Sequence, residues 1–483
     1  MATTAEPRPT VDAEDGELMR NAVTLQLRKD RVPPPEWIYD EGTEDFGSAP
    51  IRKDCFVSRQ YHEQEATHLW PKVWQMACRE RDIPNPGDFT TYEIVNDSIL
   101  IVRQGDGGLR AYHNVCLHRG NRLVEGCGSV GPQGGFSCTF HGWTWHADGS
   151  LARVPCRWDF PRVADGSYRL HEVRVDTWDG WVFVNVDPNC QPLAAFLGEV
   201  VPRHFQAWPM ANRRIVAYGA MVMPCNWKVA LAAFMEDYHV MRTHPESLPY
   251  AYTAGARYDQ WGYHARFIQL VGRPSPHLPP GTYDEQDVVD AMLGQAMQVG
   301  AEGEVPKIPD GMTARSFLAE INRQGLGQAY RLDLSSVSDT EVLDAIEYYV
   351  FPNFSPWGAY SFPIVYRVRP DGDRHESCFF EAMLAAPDGD DPGPDVPMTV
   401  LDWGASWTEV PGMTGVGAIL DQDMQNIRKL QLGLRSRGLT EVSFSASMEG
   451  NIRAMHQGVD DYIAAGSGGA PALATSTKGA MRR

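Results

Sequence analysis

The sequence predicts an α+β protein made of two successive domains, and three observations carry that reading. From about residue 86 the chain breaks into short β-rich runs separated by Gly-containing turns, the grammar of a small antiparallel β domain. After Asp187 the pattern changes to helical stretches alternating with longer strand-like runs. A length of 483 residues is enough for two domains, each with a sizeable core.

Residues 1–55 are acidic and punctuated by Pro, with three in a row at Pro33, Pro34 and Pro35. They are expected to form an arm that lies over another surface or stays partly mobile. Residues 56–74 carry helical spacing, with Tyr61, Ala66, Leu69, Trp70 and Val73 on one face. Strands are expected at 89–95, 99–102 and 109–115, the last two joined by a hairpin signal, Asp106-Gly107-Gly108. Further strands through Trp143, Val173 and 181–186 complete a β domain over residues 56–187.

The second domain, residues 188–463, contains a helix-sized stretch at 226–245, NWKVALAAFMEDYHVMRTHP. Trp227, Leu231, Phe234, Tyr238 and Met241 make one apolar stripe, so a single helix buried nearly all round is expected. A Pro-rich passage follows, then helices near 287–297 and 312–322. Strand-like runs at 348–354, 364–368 and 378–384 suggest an antiparallel sheet, and a last long helix is expected at 418–435. Residues 464–483, rich in Gly, Ala, Ser and Thr, read as a disordered tail.

Composition narrows the function classes. A net charge of -19 argues against nucleic acid or an anionic membrane as the main partner. No apolar run is long enough to span a bilayer and no signal peptide is recognisable, so a cytoplasmic protein is expected. Nine cysteines in such a chain suggest thiols or metal ligands rather than a disulfide frame.

Two constellations carry chemistry. In 226–245, Glu236 lies three residues before His239, and His244 follows five later. A carboxylate and an imidazole inside a buried helix are costly without partners. Pro245 disfavours helical geometry at His244, so the helix should end near Thr243 and let His244 swing toward His239. The pair reads as metal ligands beside an orienting acid, or as core histidines near a surface acid. The second constellation is Cys116-Leu117-His118 and Cys138-Thr139-Phe140-His141. Two thiols and two imidazoles at these spacings suit zinc, a 2Fe–2S centre or a disulfide. The mixing of Cys with His in each pair, and the flanking Gly120, Gly142 and Trp143, favour the iron–sulfur centre.

With CxH and CxxH in a β domain, followed by Glu236-Asp237-Tyr238-His239 and His244-Pro245, the chain resembles the large subunit of the Rieske-type ring-hydroxylating oxygenases over residues 56–460. The resemblance implies a Rieske domain and a catalytic domain in which helices cover an antiparallel sheet (helix-grip, START-like). It implies a 2Fe–2S cluster with one iron on Cys116 and Cys138 and the other on His118 and His141. It also implies a mononuclear Fe(II) on His239, His244 and one carboxylate, with O2 as co-substrate.

For that carboxylate, Asp423 aligns with Ile427, Leu430 and Leu434 on an apolar stripe, whereas Asp421 points elsewhere. The family pattern, reading back from Gln431, Gly433 and Leu434, selects Asp423 as well. Glu236 then becomes an electron-transfer bridge, one turn before His239, that meets His141 of a neighbouring subunit. The implied assembly is a homotrimer or a trimer with a small β subunit, fed by a ferredoxin and/or a flavin reductase. Many relatives carry Asp at this position, and this chain has Ala232-Ala233 where the family often has Glu-Asn.

Phe234, Met235, Met241, Tyr349, Phe351 and Phe354 are candidates for an apolar substrate pocket, and residues 274–340 for a lid or entrance. Such a pocket favours an aromatic or polycyclic substrate without deciding the reaction, for which cis-dihydroxylation is the expectation. Monohydroxylation and O- or N-demethylation are the alternatives, because the same iron supports all three. A stand-alone Rieske electron carrier or a zinc-stapled binding protein would each leave one of the two constellations unexplained.

Overall fold

The structure is a computed structural model that describes residues 21–467, apart from 43, 132–133, 164–167, 254, 299–303 and 390–392. It is α+β. The first part is a seven-stranded sheet in the order Gln75–Arg79, Trp181–Asn185, Glu172–Trp178, Leu109–His113, Asp97–Arg103, Asp88–Ile94, Cys127–Ser129. A three-stranded sheet, Gly135–Ser137, Thr144–His146 and Leu151–Arg153, sits with it. The hairpin signal joins Asp97–Arg103 to Leu109–His113, and Gly107 takes a φ of +85° in its turn, where a side chain would be strained.

The second part holds a five-stranded sheet, Phe354–Pro356, Ile364–Asp371, Arg374–Pro387, Arg213–Met223 and Thr399–Leu401, antiparallel but for the last pair. A three-stranded sheet, Arg257–Trp261, His264–Gln269 and Ala345–Tyr349, continues it through bridges Glu347–Trp357 and Val350–Phe354. Strand alternation gives the large sheet two faces. Ser355, Tyr366, Val368 and Phe380 share one face, and Phe354 and Arg367 the other. On that other face Arg367 pairs with Glu381 at 2.6 Å and reaches the carbonyl of Met76 at 3.3 Å, joining the two parts of the chain. One apolar core runs through both, from Ile99 and Val182 to Met221, Trp227 and Phe380.

Several expectations are corrected. The stretch 226–245 is two helices, Trp227–Ala232 and Val240–Thr243, with an open segment between. Glu236 and Asp237 use that opening: Glu236 accepts from the His239 backbone N–H at 2.9 Å, and Asp237 accepts from Tyr258 Oη at 2.6 Å. Acidic side chains that bond locally compete with helix continuation, and Tyr238, expected on the buried stripe, is 45% exposed. The run 348–354 is not one strand but the end of Ala345–Tyr349, a turn, and the start of Phe354–Pro356.

Residues 56–74 fold as Asp54–Val57, Arg59–Gln64 and a π-helical turn, Glu65–Leu69. The helix expected last, here Thr414–Leu434, is followed by Gly450–Gly466, whose Ile452, Met455 and Val459 are buried at helical spacing. That helix overruns the expected start of the tail at 464, since Ala464 and Ala465 are good helix formers; residues 468–483 lie outside the described residues. In the N-terminal stretch, Val23, Leu27 and Ile38 are fully buried in a separate apolar cluster with Phe183, Phe205 and Tyr348. Within 274–340, helices Glu285–Gln298 and Ala314–Tyr330 build a small core of their own around Val289 and Leu318. Arg315 ties it to Asp30 and Asp344, each at 2.6 Å.

On helix Trp227–Ala232, Lys228 forms a fully buried ion pair with Glu65, and Trp227 Nε1 donates to Glu65 at 3.2 Å. Removing one partner strands a buried charge. Glu65→Ala is therefore expected to destabilise the protein by about 3–5 kcal/mol, read as a lowered urea midpoint; an unchanged midpoint would refute the role of the pair.

Candidate metal centres and their surroundings

Each Cys/His pair occupies a tight loop. The Cys116 N–H donates to Asn121 O at 2.8 Å and the Cys138 N–H to Trp143 O at 2.8 Å. Gly120 and Gly142, at φ +78° and +71°, close these loops with N–H bonds back to the carbonyls of Cys116 and Cys138. Asn121 Nδ2 reaches Cys138 Sγ at 3.7 Å, so the first loop touches the second. The rings of His118 and His141 lie 4.5 Å apart, and the indole of Trp143 stacks on His118 at 5.0 Å.

Burial pushes the Cys116 thiol up. At Cys138 burial acts in the same direction, but the backbone N–H groups of Phe140 and His141 outweigh it and hold that thiol below its usual value. His118 Nδ1 is buried with no hydrogen-bond partner. Both cysteines are free, which removes the disulfide reading. An orphan imidazole nitrogen beside two adjacent thiols and a second imidazole is a donor set that fits an iron–sulfur cluster of mixed Cys and His ligation.

The second centre forms where the open segment meets helix Thr414–Leu434. His239, His244 and Asp423 each place one donor atom within 4.8 Å of the others. His239 Nδ1 bonds Glu236 Oε1 at 2.8 Å, and His244 Nδ1 bonds Gln422 Oε1. Both partners accept only, so both Nδ1 atoms carry the hydrogen and both Nε2 atoms present lone pairs. Those two nitrogens face the same oxygen, Asp423 Oδ1, at 3.5 and 3.0 Å. Three acceptors pointed at one another repel unless a proton or a cation sits between them.

The surroundings already favour positive charge there. Burial lowers the His239 pKa, but Glu236 and then Asp423 outweigh it and bring the ring to about 9. Two imidazoles and one carboxylate from one side fit a mononuclear metal with open positions, and Glu236 and Gln422 fix the two rings. Gln422 is held in turn by donating to Glu246 at 2.7 Å. Asp421 instead accepts from the backbone of Trp407 at 2.8 Å and from Ser406, which caps a turn. The buried face of the helix runs Leu420, Asp423, Ile427, Gln431, Leu434. Leu430, expected on that face, is 52% exposed, because the four-residue step from Ile427 lands on Gln431.

Beside the triad stands an aromatic wall. Phe234 packs on Tyr366 at 4.8 Å and on Phe380 at 4.9 Å, Tyr366 is 6.2 Å from Trp357, and Phe380 is 5.4 Å from Trp407. Of the pocket candidates, Phe234 is in this wall, Met235 is in the core beneath it, and Met241 is half-buried on the short second helix. Tyr349 donates its hydroxyl to Pro352 O at 2.8 Å. Phe351 stacks on Tyr462, against helix Gly450–Gly466. Phe354 faces the other side of the sheet, on Trp181 and Phe183; as the neighbour of Ser355 it must point away from Tyr366. Tyr366, Phe380 and Trp357 were missed, although the alternation Tyr366/Val368 and Phe380/Ala382 was there to use. A cleft of about 920 Å³ opens elsewhere, among Lys72, Phe196, Tyr263 and Tyr462, and includes none of the metal-site residues.

Asp423→Ala is expected to remove one iron per chain, from three to two, while the visible absorption of the cluster persists. Gln422→Ala is expected to weaken the same metal by about 10- to 100-fold. Unchanged iron content in both variants would refute the placement of this centre.

Comparison with known proteins gives the family of both parts of the chain. The family model for the Rieske [2Fe-2S] domain matches residues 73–164, and that for the ring hydroxylating alpha subunit (catalytic domain) matches residues 203–465. The chain is 31% identical over 193 residues to the biphenyl 2,3-dioxygenase subunit alpha of Rhodococcus jostii (strain RHA1), covering 39% of this chain and 42% of that one. It is 30% identical over 208 residues to the carnitine monooxygenase oxygenase subunit of Acinetobacter pittii (strain PHEA-2), covering 42% and 56%. The chain thus spans about half the length of the curated relatives it matches.

Among solved structures, a quaternary ammonium Rieske monooxygenase matches with a TM-score of 0.60 at 18% identity, over 86% of this chain and 96% of that one. Naphthalene 1,2-dioxygenase from Rhodococcus sp. matches at 0.55 and 18%, over 86% and 94%. These likenesses show the fold, and the catalytic-domain match covers more than half of the sequence. The chain belongs to the ring-hydroxylating alpha-subunit family, with a Rieske [2Fe-2S] domain ahead of its catalytic domain.

Proposed function

We propose that this chain is the terminal oxygenase component of a multi-protein system, hydroxylating an organic substrate with O2 and electrons from a ferredoxin and/or a flavin reductase. The observation that supports this most is the convergence of His239 Nε2 and His244 Nε2 on Asp423 Oδ1, within a chain that also carries the Cys116, His118, Cys138, His141 set. In this reading Cys116 and Cys138 hold one iron of the cluster, His118 and His141 the other, and His239, His244 and Asp423 hold the mononuclear iron. When bound, the cluster supplies single electrons and the mononuclear iron activates O2 for attack on carbon.

The protein residues orient and connect. Glu236 fixes the tautomer of His239 by accepting its Nδ1–H. Among the described residues, no hydrogen bond, ion pair or ring contact joins His118 or His141 to Glu236, His239, His244 or Asp423 within one chain. His141 is exposed, and Tyr238, beside Glu236, is also exposed. This arrangement supports electron transfer from His141 of a neighbouring subunit through Glu236 to His239, in a trimer with or without a β subunit. The wall of Phe234, Tyr366 and Phe380 excludes water from the space next to the triad and gives the substrate an apolar face.

Relatives named for arene dioxygenation and for carnitine monooxygenation align at nearly equal identity. Both cis-dihydroxylation of an aromatic compound and insertion of a single oxygen, including demethylation, therefore stand as reactions of this site. Glu236→Gln is expected to keep three irons per chain and nearly abolish coupled turnover, and normal product formation in that variant would defeat the bridge. With a compatible reductase, O2 and reductant consumption across a panel of arenes and amines, with product identification, decides between the two reactions; no O2-dependent product from any panel member would count against an oxygenase.

A further inference from the structure

Glu347 is a buried acid that none of the chemistry above employs. It lies on strand Ala345–Tyr349, is 2% exposed, and neither carboxyl oxygen completes a hydrogen bond of normal geometry. Its cross-strand neighbour is Phe267, and an isolated bridge pairs it with Trp357, so these three side chains share a face. That face looks toward the metal segment, since Tyr258 and Gln269 on the same sheet bond Asp237.

Burial pushes the Glu347 carboxyl well up, Ser355 beside it pulls it back, and Glu236 pushes it further up. The Tyr366 hydroxyl is pushed up by burial and then by Glu347 and Asp423. Glu347 is therefore close enough to Tyr366 of the aromatic wall, and to Glu236 beside the triad, for their charges to act on one another. No arginine or lysine is among the groups acting on either residue. Two further buried groups next to it, Ser355 Oγ and Trp357 Nε1, also have no partner; both are donors, the kind of group that holds an ionised carboxylate.

An unpaired acid is costly in an apolar interior, and ring faces are the weakest place for an anion because their quadrupole is negative. A bound cation reverses both effects: it neutralises the carboxylate and is attracted to the ring faces. We propose that Glu347 anchors a positively charged nitrogen of the substrate, an ammonium group held against the faces of Trp357, Tyr366 and Phe267. This rests on the oxygenase reading and deepens it: the substrate is a cationic amine, presented so that carbon near the nitrogen faces His239, His244 and Asp423. A plain aromatic hydrocarbon would leave Glu347 unpaired.

The test is a binding measurement that needs no turnover. The holoprotein, anaerobic, is titrated by calorimetry with choline and with its neutral isostere, 3,3-dimethylbutan-1-ol. Choline is expected to bind at least about tenfold more tightly. Glu347→Gln, which keeps the shape of the neutral acid, is expected to abolish that preference while cluster absorption, iron content and affinity for the isostere stay as in the parent. Equal affinities for the two probes, no choline binding, or an undiminished preference in Glu347→Gln would overturn the proposal. An oxygenase that turns over neutral arenes without this preference would lose only the cation anchor, whereas choline preference in a protein with no O2-dependent product would leave the anchor and remove the oxygenase reading.

Discussion

The catalytic end of the molecule depends on one unfavourable juxtaposition, Asp423 held beside two imidazoles whose lone pairs also point at it. Left alone, three acceptors so placed would separate. They are kept together by elements that do not touch the metal position. Glu236 and Gln422 lock the rings through Nδ1, and Pro245 ends the short helix so that His244, at φ -125° and ψ 57°, can turn inward. At the far end of helix Thr414–Leu434, Gln431 accepts from the backbone N–H of Asn226 at 2.9 Å. That bond latches the segment carrying His239 and His244 to the helix carrying Asp423, across a sequence separation of 205 residues. The site is a preorganised demand for a cation, and the buried network is what the fold gives up apolar packing to keep.

The two parts of the chain are not independent bodies joined by a linker. Arg79 from the first sheet pairs with Asp395 at 3.1 Å and donates to the carbonyl of Met210 at 3.2 Å. Arg367 from the second sheet reaches back to Met76. Both guanidiniums are buried, and a planar fork of donors that can serve several carbonyls and a carboxylate at once suits such a seam better than an ammonium would. Together with the continuous apolar core, these bonds fix the cluster loops relative to the triad within a chain.

What was legible in the sequence was what is costly. Glu236, His239, His244 and Asp423 stand out because charged or titratable groups in apolar stretches need a reason, and the Cys/His pairs because their spacing is short and repeated. What was not legible depended on register or on local competition. The open segment after Ala232 goes with Glu236 bonding the His239 backbone and Asp237 bonding Tyr258 on a distant strand, and periodicity does not report those. Leu430 and Gln431 differ by one step on a helix face. Phe351, Phe354, Tyr366 and Phe380 look alike in sequence, and only the strand register separates wall from seam. Glu347, between Ile346 and Tyr348, reads as one polar residue in an apolar run until Phe267 and Trp357 are seen beside it.

The alternation along Phe354–Pro356 and Ile364–Asp371 has a consequence for how such a protein changes over time. Residues 355 and 366 share the face that carries the aromatic wall, while 354 and 367 face the domain seam. One strand pair thus carries two sets of positions, interleaved and physically separated by the thickness of the sheet. Substitutions in the first set can reshape the aromatic wall without disturbing how the two parts of the chain are joined, and substitutions in the second can retune that junction without altering the wall. An insertion or deletion of one residue would exchange the two sets and damage both. The lineage is free to explore new substrates by replacement, at every second residue, and closed to exploring them by changes of length.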